Sequence, residues 1–240
     1  MEPNREAPYG ETLNREELTR AARYRALALL LLPPSQELGE EIALLSNDVP
    51  DGPGEPLRAL AAEYSEELTG IYHALLGPSG ACRDVESDFE VNKLGGKGPL
   101  MADVSGFYRA FAYEHQLLGP VSVDHISAEL DFMAWLSFKT AYARYIENAE
   151  AVAVCEDASA KFAKAHLGAW VRSFAHKVRS TAEGTYYDRV TAVLIAQLDE
   201  LAPGLVAEER PDLRRGPGLP VLNEDQSTEE CDGPLGLEDN

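Results

Sequence analysis

Apolar residues recur at helical spacing along almost the whole chain, and the breaks between runs carry turn chemistry. Leu57, Leu60, Ala61, Tyr64, Leu68, Ile71, Tyr72 and Leu75 form one stripe and predict an amphipathic helix closed by Gly77-Pro78. Upstream, Asn14 and Glu17 read as a capping box that opens a helix running to Leu32, where Pro33-Pro34 stops it. Ser35 is placed to cap a short helix to about Ser46, followed by the turn-rich NDVPDGPGEP at 47–56. Residues 77–99, rich in Gly, Ser and charge, predict a long, partly mobile loop. Further helices are expected over about 101–116, 122–147 and 150–167, then around Trp170–Val178, then from Tyr186 to Leu201, with Pro203-Gly204 closing the last. No period-two run stands between turn signals. The pattern therefore predicts an all-α, single helical-bundle domain of about seven or eight helices, with the 77–99 loop dividing two lobes. A loose arm at 1–12, a helical domain at 13–203 and a disordered tail at 204–240 complete the expected organisation.

The helix expected after residue 122 is apolar nearly all round, the mark of a buried helix, yet it opens with Asp124, His125 and Glu129. An aromatic helix with Phe107, Tyr108 and Phe111 precedes it, then Glu114 and a Gly119-Pro120 turn. Phe132 and Trp135 follow on the second helix. Carboxylates at the mouth of an aromatic groove suit a peptide whose cationic residues precede an apolar stretch. The acids would take guanidinium groups by charge-assisted hydrogen bonds, and the groove would take the apolar part. The expected peptide-binding set is Phe107, Tyr108, Phe111, Glu114, Asp124, His125, Glu129, Phe132 and Trp135. Simple helix capping by Asp124, and core packing by the aromatic residues, account for much of the same pattern.

Charge sharpens this. Of the 240 residues 41 are acidic and 21 are Lys or Arg, a net charge of -20, and residues 1–220 alone carry -13. Such a field repels nucleic acid and anionic membrane and attracts cationic segments. Cys82, Cys155 and Cys231 are far apart and odd in number, which argues against a disulfide framework and for a reducing compartment. The polar, acidic first residues lack a secretory-signal pattern, and the apolar run Ala26–Leu32 is too short to span a bilayer.

Signatures of enzymes are sparse. H-E-x-x-H, Walker A, a Rossmann glycine fingerprint and G-x-S-x-G are all missing, and GGKGP at 95–99 lacks phosphate-loop spacing. Asp124, His125 and Glu129 on one helical face leave one catalytic alternative, a metal- or nucleotide-dependent hydrolase. His166 and His176 read as surface or core-edge histidines.

Tyr108-Arg-Ala-Phe111, then Asp124-His125, Glu129-Leu130 and Phe132-Met133 resemble the TorD/DmsD/NarJ-type redox-enzyme maturation chaperones. That family's pattern is Y-x-x-F, a short loop, then P-D-H-x-x-x-E-L-x-F-M. Leu31-Leu-Pro-Pro34, HLGAWVRSF at 166–174 and Tyr186-Tyr187 extend the likeness over about residues 15–202. Val123 stands where the family pattern has proline. The resemblance implies a non-enzymatic, cytoplasmic, all-helical chaperone without catalytic or metal-binding residues. Its partner would be the catalytic subunit of a molybdopterin oxidoreductase of the dimethyl-sulfoxide-reductase type and that subunit's twin-arginine signal peptide. It further implies weak guanine-nucleotide binding as the one cofactor-like property, and a monomer or a domain-swapped dimer.

Overall fold

In the computed structural model, residues 9–89, 96–114 and 121–204 are described, all within one compact unit. The first eight residues of the expected arm, most of the acidic tail and residues 90–95 and 115–120 lie outside them. The described residues form ten α-helices and one 3-10 turn, with no strand. They are α1 (Tyr9–Leu30), α2 (Gln36–Asp48), α3 (Gly54–Glu63), α4 (Thr69–Leu75), α5 (Glu86–Phe89), α6 (Lys97–Ala110), α7 (Ile126–Tyr145), α8 (Ala149–Ala165), α9 (Leu167–Ala182) and α10 (Tyr186–Leu201). The all-α class holds. No helix among the described residues is long and apolar enough to cross a membrane.

Three local expectations are corrected. The first helix begins at Tyr9, so Asn14 and Glu17 lie inside it and cap nothing. Glu17 is instead buried against Arg144 of α7, at 3.1 Å. The stripe from Leu57 to Leu75 is not one helix. The chain turns extended at Tyr64 (ψ 126°), and the hydroxyl of Tyr186 in α10 donates to the carbonyl of Leu60 at 3.0 Å. A tertiary hydrogen bond thus takes up a carbonyl that a continuing helix would use. The 3-10 turn Glu66–Leu68 and α4 then carry the rest. Segment 77–89, expected to be loose, is pinned. Cys82 is fully buried, and its N–H donates to Leu75 O at 2.8 Å. A Cβ on Gly80 would lie 2.6 Å from the Leu75 carbonyl group, so only glycine permits this turn.

Other ends follow local rules. Leu31 and Leu32 tighten the last turn of α1 with i→i-3 bonds before Pro33 excludes a further one. Ser35, Asn148 and Thr185 cap α2, α8 and α10 by accepting from Leu38, Ala151 and Asp188 N–H groups.

The central element is α7, fourteen of whose twenty residues are buried. Its most extensive partner is α1, which runs antiparallel to it, and α8 covers a second side. Arg25 of α1 joins Asp131 of α7 at 2.6 Å and Glu41 of α2 at 3.0 Å. Tyr113 donates to the other Asp131 oxygen at 2.7 Å. One guanidinium thereby ties α1, α2, α7 and the 111–114 turn, and the buried carboxylate keeps its partners.

Candidate functional site

The segment before α5 and the segment before α7 run side by side. Val85 and His125 form an antiparallel bridge, with Glu86 N–H donating to Asp124 O and Ile126 N–H to Asp84 O, both at 2.9 Å. The Asp-His pair lies in this short ribbon. Asp124 is 1% exposed. Its Oδ2 accepts from Ser87 N–H in the first turn of α5 at 3.0 Å, and its Oδ1 accepts from the Ser122 hydroxyl. The capping role is thus real, but it serves α5 rather than the helix that Asp124 precedes. His125 itself caps α7, its Nδ1 accepting from Ser127 N–H at 3.1 Å. With Nδ1 occupied as an acceptor, Nε2 carries the proton and donates to Asp84 Oδ2 at 3.0 Å.

Glu129 lies one turn further and is fully buried. Its Oε2 accepts from the indole N–H of Trp170 at 3.1 Å. Burial pushes its carboxyl well above the usual carboxylate range, and the neighbouring carboxyl of Glu86, also fully buried, pushes it further. Glu86 in turn lies 3.0 Å from His166 Nδ1, and His166 Nε2 is 3.3 Å from Asp103 Oδ2 at the surface. A carboxyl pair, an indole and an imidazole therefore join α5, α6, α7 and α9. Burial and the adjacent Glu86 carboxyl both favour the protonated form of Glu129.

The aromatic residues pack inside this frame. Phe132 is fully buried, with ring centroids of Phe162 at 4.8 Å, Tyr108 at 4.9 Å, Tyr113 at 5.3 Å, Phe111 at 6.2 Å and Phe107 at 6.5 Å. Phe107 and Phe111 are half-buried at its edge. Tyr108 donates its hydroxyl to Val123 O at 2.8 Å, and half-buried Trp135 donates to Phe111 O at 3.1 Å. The expected groove between the two central helices is filled by these rings. Asp124 and Glu129 are accordingly not at a rim, since each has found buried donors that water would otherwise supply.

An open cleft of about 330 Å³ does lie beside the motif, lined by Ser105, Tyr108, Arg109, Tyr113, Glu114 and Val123. Of the nine residues expected to bind peptide, Tyr108 and Glu114 reach it. Glu114 and Arg109 are exposed, and the side chain of neither makes a hydrogen bond or ion pair among the described residues. Asp124, His125 and Glu129, the hydrolase alternative, are taken by different partners. No group of three metal-binding side chains occurs among the described residues.

Sequence reading missed Glu86, His166 and Trp170. Glu86 falls in a stretch whose composition reads as loop, and His166, expected at a surface or core edge, is 2% exposed. Contacts 41 and 80 residues apart leave no local pattern. His166 and Trp170 both fall within the quoted 166–174 segment, whereas Glu86 carried no signal.

Removing the Asp124 carboxylate strands the Ser87 N–H and Ser122 hydroxyl. Asp124→Ala is expected to cost about 1–3 kcal/mol, and Asp124→Asn, which keeps an acceptor, clearly less. Urea unfolding of the two variants checks the order. Equal losses would mean that the hydrogen bonds at this carboxylate do not hold the ribbon.

A comparison with curated proteins gives no match. The family model described as nitrate reductase delta subunit matches residues 33–176, from the Pro33-Pro34 stop to within α9, and so spans the ribbon, the buried acids and the cleft. With more than half of its length matched, the chain belongs to the nitrate reductase delta subunit family, the NarJ/TorD-type chaperones of molybdoenzyme maturation.

Proposed function

We propose that this chain is a cytoplasmic chaperone that holds the apo catalytic subunit of a molybdopterin oxidoreductase by its twin-arginine signal peptide until cofactor is inserted. The observation that carries this reading is the exposed carboxylate of Glu114, without a side-chain partner among the described residues, on an open cleft with tyrosine walls beside the motif that resembles the family's. A guanidinium entering the cleft meets Glu114 by charge-assisted hydrogen bonds and lies against the rings of Tyr108 and Tyr113. Arg109 repels a second cation from its own side, so the cleft orients the arginine pair towards Glu114. The net charge of -20 steers a cationic leader to the molecule.

Asp124, His125 and Glu129 act here by positioning. Asp124 and His125 fix the ribbon that carries Val123, and Tyr108 is fastened to the Val123 carbonyl. Phe107, Phe111, Phe132 and Trp135 support the same wall from the core side.

Calorimetry with a synthetic twin-arginine leader tests this. Glu114→Lys is expected to weaken binding about tenfold or more, roughly 1.4 kcal/mol, with the thermal midpoint unchanged. A leader that fails to bind the wild type, or that binds Glu114→Lys equally well, defeats the proposal.

A further inference from the structure

The last three turns of α7 carry apolar side chains that nothing in the described fold covers. Phe138 is 48% exposed, Tyr142 58% and Tyr145 74%, and Ile146, just past the end of the helix, is 48% exposed. Trp135, half-buried, heads the row, stacked on Phe138 at 5.9 Å between centroids. Trp135, Phe138, Tyr142 and Tyr145 repeat at intervals of three, four and three residues. That interval keeps side chains along one seam of a helix, and it is the spacing by which one helix packs into another. The row spans about 15 Å, or three helical turns.

We infer that this face of α7 docks a helix of a partner protein, one with an apolar seam of about three turns flanked by Lys or Arg. The spacing selects a helix over an extended strand, since a strand offers side chains at period two. Charge selects the flanks. Lys139 lies over the Trp135 ring at 5.0 Å, its ammonium held against the indole. Glu147 and Glu150, exposed just past the end of the row, meet an incoming cation. A second copy of this chain is disfavoured, because two bodies of net charge -20 repel. The chain's own C-terminal apolar run, Leu219-Pro-Val-Leu222, is four residues long with a proline in it, shorter than a three-turn seam requires.

The inference stands apart from leader recognition at the cleft, because its test leaves Glu114 untouched. The full chain and a variant carrying Phe138→Ser, Tyr142→Ser and Tyr145→Ser are titrated with a labelled amphipathic helix of roughly fifteen Leu and Lys residues, long enough for about four turns. The same helix with Glu for Lys is the counter-probe. All three substitutions are at exposed positions and leave the net charge unchanged, so a loss reports the apolar face. Expected is binding of the Leu/Lys helix by the wild type, at least about tenfold weaker binding by the triple variant, and weak binding of the Leu/Glu helix by both. Equal binding by wild type and variant overturns the inference, and so does equal binding of the two probes. Sedimentation equilibrium without probe supplies a further arm: a wild-type dimer that dissociates in the triple variant gives the face to a second copy. Flotation on anionic phospholipid vesicles, lost in the variant, gives it to a membrane. Either result overturns the proposal.

Discussion

Replacing Phe132 by alanine is expected to destabilise the protein by about 3–5 kcal/mol, enough to lower Tm by roughly 6–20 °C in a domain of this size. Phe132 is fully buried at the centre of five aromatic neighbours contributed by α6, the 111–113 turn and α8. Truncation leaves a void whose walls are held by other contacts. Tyr108 is tied to Val123, Tyr113 to Asp131, and the 111–113 turn to Trp135. The site therefore cannot collapse to recover the lost packing. Phe132→Leu, which restores most of the volume, is expected to cost about 1–1.5 kcal/mol. Tyr142→Ala, on the exposed face of the same helix, is expected to fall within about 0.5 kcal/mol of wild type. Urea unfolding distinguishes the three. A loss below about 1 kcal/mol for Phe132→Ala would mean that the ring lines an open groove rather than the core.

Glu129→Gln is expected to change how stability depends on pH. Burial and the carboxyl of Glu86 raise the Glu129 carboxyl above the ordinary value of 4.5 in the folded state. Below that ordinary value folded and unfolded chains both hold the proton, and the contribution of the protonated carboxyl is fully present. Above it the unfolded chain releases the proton while the folded chain retains it. Stability then falls by up to about 1.4 kcal/mol per pH unit, from near pH 4.5 until the folded carboxyl itself ionises. Glutamine is neutral at every pH and still offers Trp170 an acceptor oxygen. The variant lacks this loss, and its stability relative to wild type is expected to grow as pH rises above the ordinary value of 4.5. Unfolding free energies in urea at several pH values give the comparison. Parallel curves would mean that Glu129 is ionised in the fold and that the buried carboxyl pair shares no proton.

The helical class and most helix positions were legible because they rest on local causes. Pro33-Pro34, Ser35, Pro203 and the apolar period of α8 to α10 each act within a few residues. The helix from Leu57 to Leu75 was misread for the same reason. Its stripe is continuous, but its break at Tyr64 is accompanied by a hydroxyl on α10 that no local pattern announces. The candidate site was legible in part. The motif around Asp124, His125 and Glu129 marks a real junction, yet type and spacing do not say whether a carboxylate meets water or a buried donor. Ser87 and Trp170, the donors that decided it, lie 37 and 41 residues away. The apolar circumference of α7 was also ambiguous. It suggested burial on every side, and on one face the described residues cover the helix only as far as Trp135.

Sequence alone determined the all-helical architecture, the acidic field and the motif by which the family is recognised, since these depend on composition and on spacings within a few turns. Tertiary structure alone decided that Asp124 and Glu129 face inward, that Glu114 lies on an open cleft, and that no described residue covers one seam of α7. The physical reason is that solvent exposure belongs to the packed molecule: a side chain's access to water is set by elements distant in the chain, and its own neighbours in sequence do not encode which of them will arrive.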